Sequence, residues 1–359
     1  MSRGLLSGLT FAACLALAGC AGGNPSSGAK YKIAVIPKGL SHEFWQSIHR
    51  GADQAAKDLG ARGVGVEVLW DGPTEESDAT AQIRIIDQKR AMGIHGMVLA
   101  PQDSKQMVPP VQRTFEKGVP VVIIDSGLDP DALKKNPDLI VKYVATNNRN
   151  GGRLAAKALL DALEKEGKKE PKLVLFRYAP GSESTEQREA GFLDYVEEQQ
   201  KVGKKIDIIS KDEYAGATVA TAQQAAGPLL TRLRDQGIDG IFAVNESAAT
   251  GMLSAMKTRN MNKVVRLVGF DSSEPLLQAV RDGDIDTLIV QDPFYMGYMG
   301  VWTVVNHLEG YDVRQGQLDL TTGEYPLNKD NIDSPEMVER YKPEAQLQRK
   351  IVPPEYKKR

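Results

Sequence analysis

Hydrogen-bonding and aromatic side chains follow the first predicted strand of the chain. Residues 32–36 form a short β-branched run, which predicts a buried strand. The loop and the first helical turn beyond this strand carry Lys38, His42, Phe44 and Trp45. In open α/β sheets, ligands bind at the carboxyl ends of the strands. These four side chains are therefore candidates for binding a ligand.

Most of the other predicted strands also end at polar residues. These are Gln102-Asp103 and Asp125-Ser126 in the first half of the chain, and Arg177, Asn245-Glu246, Asp271-Ser272 and Gln291-Asp292 in the second half. One such strand end would be uninformative, because strands usually stop at polar residues. So many of them, in two similar halves of the chain, predict two sheets whose carboxyl ends face one cleft.

Predicted strands alternate with helical patterns along most of the chain. The strands are at 33–36, 66–69, 97–99, 121–124, 143–145, 173–176, 206–210, 240–244, 266–270 and 287–290. After a first helix that ends at Leu59, helices are predicted at 79–92, 104–117, 151–167, 186–200, 218–236, 247–259, 275–283 and 295–308. This alternation predicts an α/β fold with parallel sheets and helices on both faces.

The first 20 residues are typical of a secretion signal. Arg3 precedes an apolar, small-residue run at 5–18, which Gly19 and Cys20 follow. Residues 17–20 resemble a bacterial lipoprotein cleavage box, in which the cysteine becomes the lipidated first residue. A buried helix that contains a cysteine is the alternative, but the linker-like composition of 21–30 favours the signal peptide. Since Cys14 would leave with the signal, the mature chain would keep no free thiol.

Length and composition restrict the possible function classes. A chain of 359 residues is long enough for two domains. Its net charge of −2 gives no electrostatic reason to bind nucleic acid. No internal run reaches the roughly 18 apolar residues of a membrane span. We therefore expect two domains and a membrane contact through the lipid anchor.

Enzymatic and DNA-binding functions are the first alternatives. The segment His42–Gln46 approaches the His-Glu-x-x-His motif of zinc proteases but lacks its second histidine. No nucleophile elbow, Walker loop or dinucleotide fingerprint is present, so neither a metal nor a cofactor is expected. Asp125 and Asp271 could in principle cleave glycosides as a carboxylate pair. A repressor needs a helix-turn-helix ahead of the first strand, where this chain has the signal-like segment and the linker.

Six short segments between residues 31 and 333 carry a family resemblance. They are Lys38-Gly-Leu-Ser-His-Glu-Phe-Trp45, Ala100-Pro-Gln-Asp-Ser104, Val119-Pro-Val-Val-Ile-Ile-Asp125, Arg188-Glu-Ala-Gly-Phe192, Phe242-Ala-Val-Asn245 and Val268-Gly-Phe-Asp271. In this order they resemble motifs of the ribose-type periplasmic sugar-binding proteins of ABC transporters, a type I periplasmic binding protein family. The first segment is especially similar to the allose-binding members. Each segment alone is weak, whereas six in order at suitable intervals are a strong resemblance.

The resemblance implies two α/β lobes, each built on a doubly wound parallel sheet, which are joined by three hinge segments and enclose a sugar. It places the N-terminal lobe at 31–146 and 292–320, and the C-terminal lobe at 147–291 and 321–340. The crossings fall near 146–147, 291–292 and 319–321. The polar, proline-containing tail at 334–359, of which 341–359 lies beyond the second lobe, is expected to be a loosely attached surface extension.

The resemblance also implies which side chains bind the sugar. Charged and amide groups would bind the hydroxyls on the rim of the ring, and aromatic side chains would stack on its C–H faces. The candidate residues are Lys38, His42, Phe44, Trp45, Asp125, Arg188, Tyr214, Asn245, Asp271 and Gln291. The alternative roles are helix caps for Asp125 and Asp271, a solvated lysine for Lys38, and core packing for the aromatic residues.

The function implied by the resemblance is capture of a small solute rather than catalysis. The protein would be a periplasmic, lipid-anchored monomer that closes around a pentose, a hexose or a similar polyol and delivers it to a membrane permease of an ABC transporter. The alternative is a sugar sensor that presents its ligand to a histidine kinase or a chemoreceptor. No nucleic acid partner is expected.

The anchor can be tested directly. Cys20→Ser should abolish lipid attachment and leave ligand binding intact, because the lipid is attached through the cysteine sulfur. Membrane fractionation after a high-salt wash measures the attachment. A Cys20→Ser protein that still sediments with membranes would contradict the lipoprotein hypothesis.

Overall fold

The computed structural model describes residues 30–359. The predicted signal peptide at 1–20, the predicted lipidation site Cys20, and the linker apart from Lys30 lie outside the described residues. Within residues 30–359, no helix combines the length and the apolar composition that a membrane crossing requires.

The strands and helices are numbered here in chain order. The strands are β1 (Tyr31–Ile36), β2 (Val66–Trp70), β3 (Gly96–Leu99), β4 (Val121–Ile124), β5 (Lys142–Ala145), β6 (Lys172–Arg177), β7 (Asp207–Tyr214), β8 (Gly240–Ala243), β9 (Arg266–Phe270), β10 (Thr287–Val290), β11 (Tyr311–Asp312), β12 (Asp319–Thr321), β13 (Tyr325–Leu327) and β14 (Lys357–Lys358). The helices are α1 (Glu43–Ala61), α2 (Ala79–Ala91), α3 (Val108–Glu116), α4 (Pro130–Lys135), α5 (Asn148–Lys165), α6 (Glu183–Lys201), α7 (Val219–Leu233), α8 (Glu246–Thr258), α9 (Glu274–Asp282), α10 (Pro293–Leu308), α11 (Pro335–Tyr341) and α12 (Pro343–Gln348). All of the strands predicted from the sequence pattern are present, with small shifts in their bounds.

Two six-stranded sheets form the framework of the protein. The first has the strand order β2-β1-β3-β4-β5-β12, and the second has the order β7-β6-β8-β9-β10-β13. All neighbouring strands pair in parallel except β13, which runs antiparallel to β10. We call the units around these sheets lobe one and lobe two. The predicted α/β fold with two doubly wound parallel sheets is confirmed, with β13 as one antiparallel edge strand.

The chain passes between the two sheets three times. Helix α5 follows β5 and packs against β9 and β10, so the first passage is at 146–147. Helix α10 follows β10 and packs against β3 and β4, so the second is at 291–292. The third, at 322–324, comes just after the predicted segment 319–321, because those residues form the edge strand β12 of the first sheet.

Both faces of each sheet are covered by helices. In β1, Ile33 and Val35 belong to the core beneath α1 and α10, whereas Ala34 and Ile36 belong to the core beneath α2 and α3. This double burial explains why the strands are apolar at successive positions instead of alternating. It also leaves the strand ends as the place where polar side chains of the two sheets can meet.

Helices α1 and α10 touch through their backbones. A Cβ atom on Gly51 would lie 1.9 Å from the carbonyl oxygen of Phe294, and a Cβ atom on Gly297 would lie 2.0 Å from that of Ile48. Such distances are far inside van der Waals contact, so only glycine allows this approach. The glycine pair therefore sets how closely α1, which begins beside the cleft, packs onto α10.

The tail is not a loosely attached extension, so this prediction is wrong. Met337 of α11 packs into the core of lobe two. In α12, the Gln346 side chain is buried and its oxygen accepts hydrogen bonds from Ser47 and Arg50 of lobe one, each at 3.0 Å. Strand β14 then pairs with β11. The tail thus connects the lobes once more, at the residue Lys342 between α11 and α12.

Gly51→Ala should destabilise the protein by about 3 kcal/mol, the upper part of the usual range for overpacking, because the α1–α10 contact leaves no room for a methyl group. Urea unfolding measures the change. Gly60→Ala is the matched control on the same helix, since a Cβ atom there has no neighbour within 4 Å. It should be neutral or stabilising by up to about 1 kcal/mol. Equal effects of the two substitutions would contradict the close contact.

Candidate functional site

Polar and aromatic side chains from both lobes converge in the cleft between the sheets. They are Lys38, His42, Phe44, Trp45, Glu76 and Asp125 from lobe one, and Tyr178, Ser184, Thr185, Arg188, Asn245, Glu246, Asp271 and Gln291 from lobe two. The space between them is about 30 Å³. In this arrangement the side chains therefore contact one another across the cleft.

A buried ion pair joins the first and fourth strands of lobe one. Lys38 follows β1, Asp125 follows β4, and Lys38 Nζ lies 3.0 Å from Asp125 Oδ2, with both side chains almost fully buried. Lys38 also donates to the hydroxyls of Ser182 and Ser184 in lobe two, at 3.3 and 3.1 Å. A buried ammonium needs such additional acceptors, because the ion pair alone does not compensate its loss of hydration. Lys38 thus connects the two lobes.

Glu76 is the centre of a second buried cluster. Its Oε1 lies 2.7 Å from His42 Nδ1 and accepts a hydrogen bond of 2.7 Å from Trp45 Nε1. Its Oε2 accepts a hydrogen bond of 2.6 Å from the hydroxyl of Tyr178, which belongs to lobe two. Both carboxylate oxygens are therefore used, and one of the partners lies across the cleft.

The His42–Glu76 pair is ionised at neutral pH. Burial disfavours the charged imidazole, but the adjacent Glu76 carboxylate outweighs this effect and raises the pKa of His42 to about 9. Burial also opposes the charged form of Glu76, yet His42 and Lys38 lower the pKa of Glu76 to about 2. Charge compensation within the cleft thus overcomes the cost of desolvation for both groups.

Asp271 occupies in lobe two the position that Asp125 occupies in lobe one. Each is the first residue after the fourth strand of its sheet, and each has a left-handed backbone, with φ of 63° for Asp125 and 72° for Asp271. Asp271 accepts hydrogen bonds from Gln291 Nε2 at 2.6 Å and from the backbone amide of Glu246 at 2.9 Å. Burial raises the pKa of Asp271, which the nearby Arg188 partly opposes.

Arg188 is held rigidly at the side of the cleft. Its Nε donates to Asn148 Oδ1 at 2.9 Å and its Nη1 donates to the carbonyl oxygen of Val244 at 3.0 Å. The guanidinium group lies 3.8 Å from the centre of the Phe270 ring. These contacts use only part of the planar fork, which leaves further N–H donors beside the cleft.

Glu246 is a buried acid of the cleft whose charge is poorly compensated by hydrogen bonds and opposite charges. It begins α8, directly after Asn245, whose side-chain oxygen caps this helix by accepting from the amide of Ala248 at 3.1 Å. Burial raises the pKa of Glu246 to about 7; the neighbouring Asp271 acts in the same direction and His42 acts against it. Glu246 Oε2 is buried and has no hydrogen-bond partner among the described residues.

The lobes are in direct contact around this cleft. In addition to the contacts of Lys38 and Glu76, the amide of Ser104 donates to the carbonyl oxygen of Gly181 at 2.9 Å. The amide of Gly127 donates to Glu183 Oε2 at 3.0 Å. These bonds run from lobe one to lobe two, so the structure has the closed arrangement of the lobes.

All but one of the residues predicted from sequence line the cleft. The residues brought together are Lys38, His42, Phe44, Trp45, Asp125, Arg188, Asn245, Asp271 and Gln291. Tyr214 is the exception, because it ends the edge strand β7 and its ring lies against the guanidinium group of Arg177, 4.5 Å away. Trp45 is 98% buried in the core of lobe one, so mainly its indole edge faces the cleft, whereas the half-buried Phe44 lies at the rim.

Sequence reasoning missed several residues of the cleft wall. Glu76 lies in the loop after β2, and Tyr178 directly follows β6. Because Tyr178 directly follows a strand, the pattern of polar strand ends could have found it, whereas Glu76 lies further along a loop that can face either way. Ser184 and Thr185 come from the first turn of α6, for which the sequence pattern carried no separate signal. Among residues 30–359, no group of three or more histidine, cysteine or acidic side chains is placed to hold a metal ion.

Comparisons with known proteins agree with this geometry. A family model described as the periplasmic binding protein domain matches residues 33–312. The D-ribose/D-allose-binding protein of Pseudomonas aeruginosa is 28% identical over 312 residues, which are 86% of this chain and 92% of that protein. A solved ABC transporter solute-binding protein of Agrobacterium vitis with bound D-fucose is 32% identical, with a TM-score of 0.75 and coverage of 85% of this chain and 98% of that one. A carbohydrate transporter solute-binding protein of Agrobacterium radiobacter in complex with D-arabinose is 31% identical, with a TM-score of 0.76 and coverage of 87% and 99%.

The ionised His42 should make stability depend on pH. Its pKa, raised from the ordinary 6.5 to about 9, gives stability that is fully present below about pH 6.5 and is lost as the pH rises through about 9. His42→Gln lacks this contribution. The wild-type protein should therefore be more stable than His42→Gln at low pH, and this difference in unfolding free energy should shrink between about pH 6.5 and 9. Its size is up to a few kcal/mol, at about 1.4 kcal/mol per pKa unit. Urea titrations at several pH values measure it, and a difference that stays constant would contradict the ion pair.

Proposed function

Because the chain belongs to the periplasmic binding protein domain family, we propose that it captures a monosaccharide or a similar polyol for an ABC transporter. The observation that carries this proposal is the cleft itself. Ionised and amide side chains from two lobes converge there at the carboxyl ends of both sheets. The relatives with bound D-fucose and D-arabinose support a sugar as the ligand.

The cleft has the chemistry that a sugar requires. Each sugar hydroxyl can donate one hydrogen bond and accept others. Asp125 and Asp271 would accept from hydroxyls, and Arg188 and Lys38 would donate to them, in charge-assisted bonds that are about twice as strong as neutral ones. The planar fork of Arg188 would reach two neighbouring hydroxyls. Phe44, at the rim of the cleft, would cover a C–H face of the ring.

Binding would proceed by opening and closing of the lobes. Neither lobe surrounds a ligand alone, since Lys38, His42 and Asp125 belong to lobe one while Arg188 and Asp271 belong to lobe two. Opening separates contacts such as Lys38 with Ser184, which makes room for a sugar. The sugar then stabilises the closed state by its differential affinity for that state. Closure of a hinge around the ligand is an established mode for periplasmic binding proteins.

The same proposal covers the location and partners of the protein. The chain would act in the periplasm as a monomer that is held at a membrane by the acylated Cys20. The membrane permease would recognise the closed relation of the two lobes and so distinguish loaded from empty protein without contacting the sugar. No chemical step on the sugar is proposed.

A thermal-shift screen over pentoses, hexoses, inositols and small polyols tests the proposed function. A ligand at about 100 times its dissociation constant should add about 2.7 kcal/mol of stability, because it binds the folded state only. At least one member of the panel should raise the melting temperature in a concentration-dependent way. If no member does so, the proposed function is wrong.

Two variants locate the binding site of the sugar that this screen identifies. Asp271→Asn should weaken binding by about 1.5 to 3 kcal/mol, since it replaces a carboxyl group by an amide but keeps a side chain that tolerates left-handed φ. Tyr214→Ala is the matched control and should bind normally, because Tyr214 lies on the edge strand beside Arg177. Calorimetric titration measures both. Normal binding by Asp271→Asn, or a loss in Tyr214→Ala, would contradict the assignment of the site.

A further inference from the structure

A second, larger space lies beside the cleft. We call it the side groove; it measures about 760 Å³ and runs between α1, α9 and the C-terminal tail. Its wall includes Gln46 and Arg50 of α1, Gln278 and Arg281 of α9, and Arg340 and Lys342 of the tail. This volume is within the range of small-molecule binding sites, about 300 to 1,000 Å³.

The side groove and the cleft share part of their walls. Phe44, Glu246 and Asp271 line both spaces. A ligand that contacts Asp271 and Glu246 in the cleft therefore lies next to the groove. Any substituent that such a ligand carries toward Phe44 would enter the groove instead of solvent.

Three hydrogen-bonding groups without partners belong to residues along this path. Glu246 Oε2, Arg340 Nε and Arg50 Nε are buried and have no hydrogen-bond partner within residues 30–359. Glu246 and Arg340 are only 9% and 8% exposed as whole residues. Leaving a buried polar group unpaired costs about 1 to 3 kcal/mol, so each one requires an explanation such as a ligand. All three residues line the side groove.

The charges of the groove indicate a neutral ligand with many hydroxyls. Its basic side chains are interleaved with acidic ones: Arg50, Arg281, Arg340 and Lys342 against Glu43, Glu246, Asp271, Glu274 and Asp333. Arg281 and Asp333 form an ion pair at 3.0 Å. The wall has neither the large excess of positive charge that a phosphate would need nor the large excess of negative charge that a polyamine would need. Alternating donors and acceptors instead match the hydroxyls of a sugar.

We propose that the side groove is a second carbohydrate subsite, so that the ligand is a disaccharide or a glycoside with a polar second unit. This inference rests on the proposed function. The first ring binds in the cleft, and the second unit passes Phe44 and Glu246 and binds between α1, α9 and the tail. The tail is then part of the binding site, because Arg340 and Lys342 form one side of the subsite.

Calorimetry with matched sugars tests the subsite. The probes are glucose and galactose, their methyl glycosides, and disaccharides that contain them in different linkages: maltose, cellobiose, trehalose, lactose and melibiose. At least one disaccharide should bind about tenfold or more tightly than its constituent monosaccharides, which corresponds to about 1.4 kcal/mol. If no disaccharide reaches this gain over its monosaccharides, the groove is not a subsite, while the proposed function stands. If no sugar of this panel binds, the subsite inference is wrong, while the proposed function is still decided by the thermal-shift screen.

Variants that fill the groove show where the second unit binds. Gln46→Trp and Gln278→Trp place a large side chain at an exposed position in each of two opposite walls. Either one should reduce the ratio of disaccharide to monosaccharide affinity to near one. Lys57→Trp, at an exposed position of α1 outside the groove, is the control and should keep the wild-type ratio. An unchanged ratio in both groove variants would overturn the inference.

Discussion

Buried charge is the constraint on which the rest of this structure depends. Lys38, Glu76 and Asp125 lie at the interface of the lobes with almost no exposure to water, where an uncompensated ion costs several kcal/mol. Each one has an opposite charge within its own lobe, and both Lys38 and Glu76 take a further partner from lobe two. The closed arrangement of the lobes is therefore required to satisfy these groups as well as to surround a ligand.

The two lobes share the same local structural features around the cleft. The fourth strand of each sheet is followed by an aspartate in the left-handed region, a conformation that this residue tolerates better than most. Each lobe also packs two helices through glycines: Gly51 with Gly297 in lobe one, and Gly152 with Gly191 in lobe two. Equivalent strand ends of both sheets therefore lie at the cleft, and the two lobes contribute to the site in the same way.

Ligand affinity in such a cleft depends on the contacts that the lobes make with the ligand, minus the contacts that they make with each other in its absence. The closed lobes already bind each other through side chains that a sugar would also use, and the space between those side chains is small. A sugar therefore replaces partners such as Ser184 rather than filling an empty cavity. The C-terminal tail adds to this balance, because it is attached to lobe two through α11 and to lobe one through α12, with only Lys342 between them.

The sequence by itself determined the α/β elements and most of the cleft, because strand ends of parallel sheets gather at one edge and short apolar runs are local signals. It therefore identified Lys38, Asp125 and Asp271 without any knowledge of contacts. Only the tertiary structure decided that Glu76 belongs to the cleft and Tyr214 does not, since a residue in a loop or on an edge strand can face either way. It also decided the packing of the tail, which depends on contacts such as Gln346 with Ser47, nearly 300 residues apart in the chain.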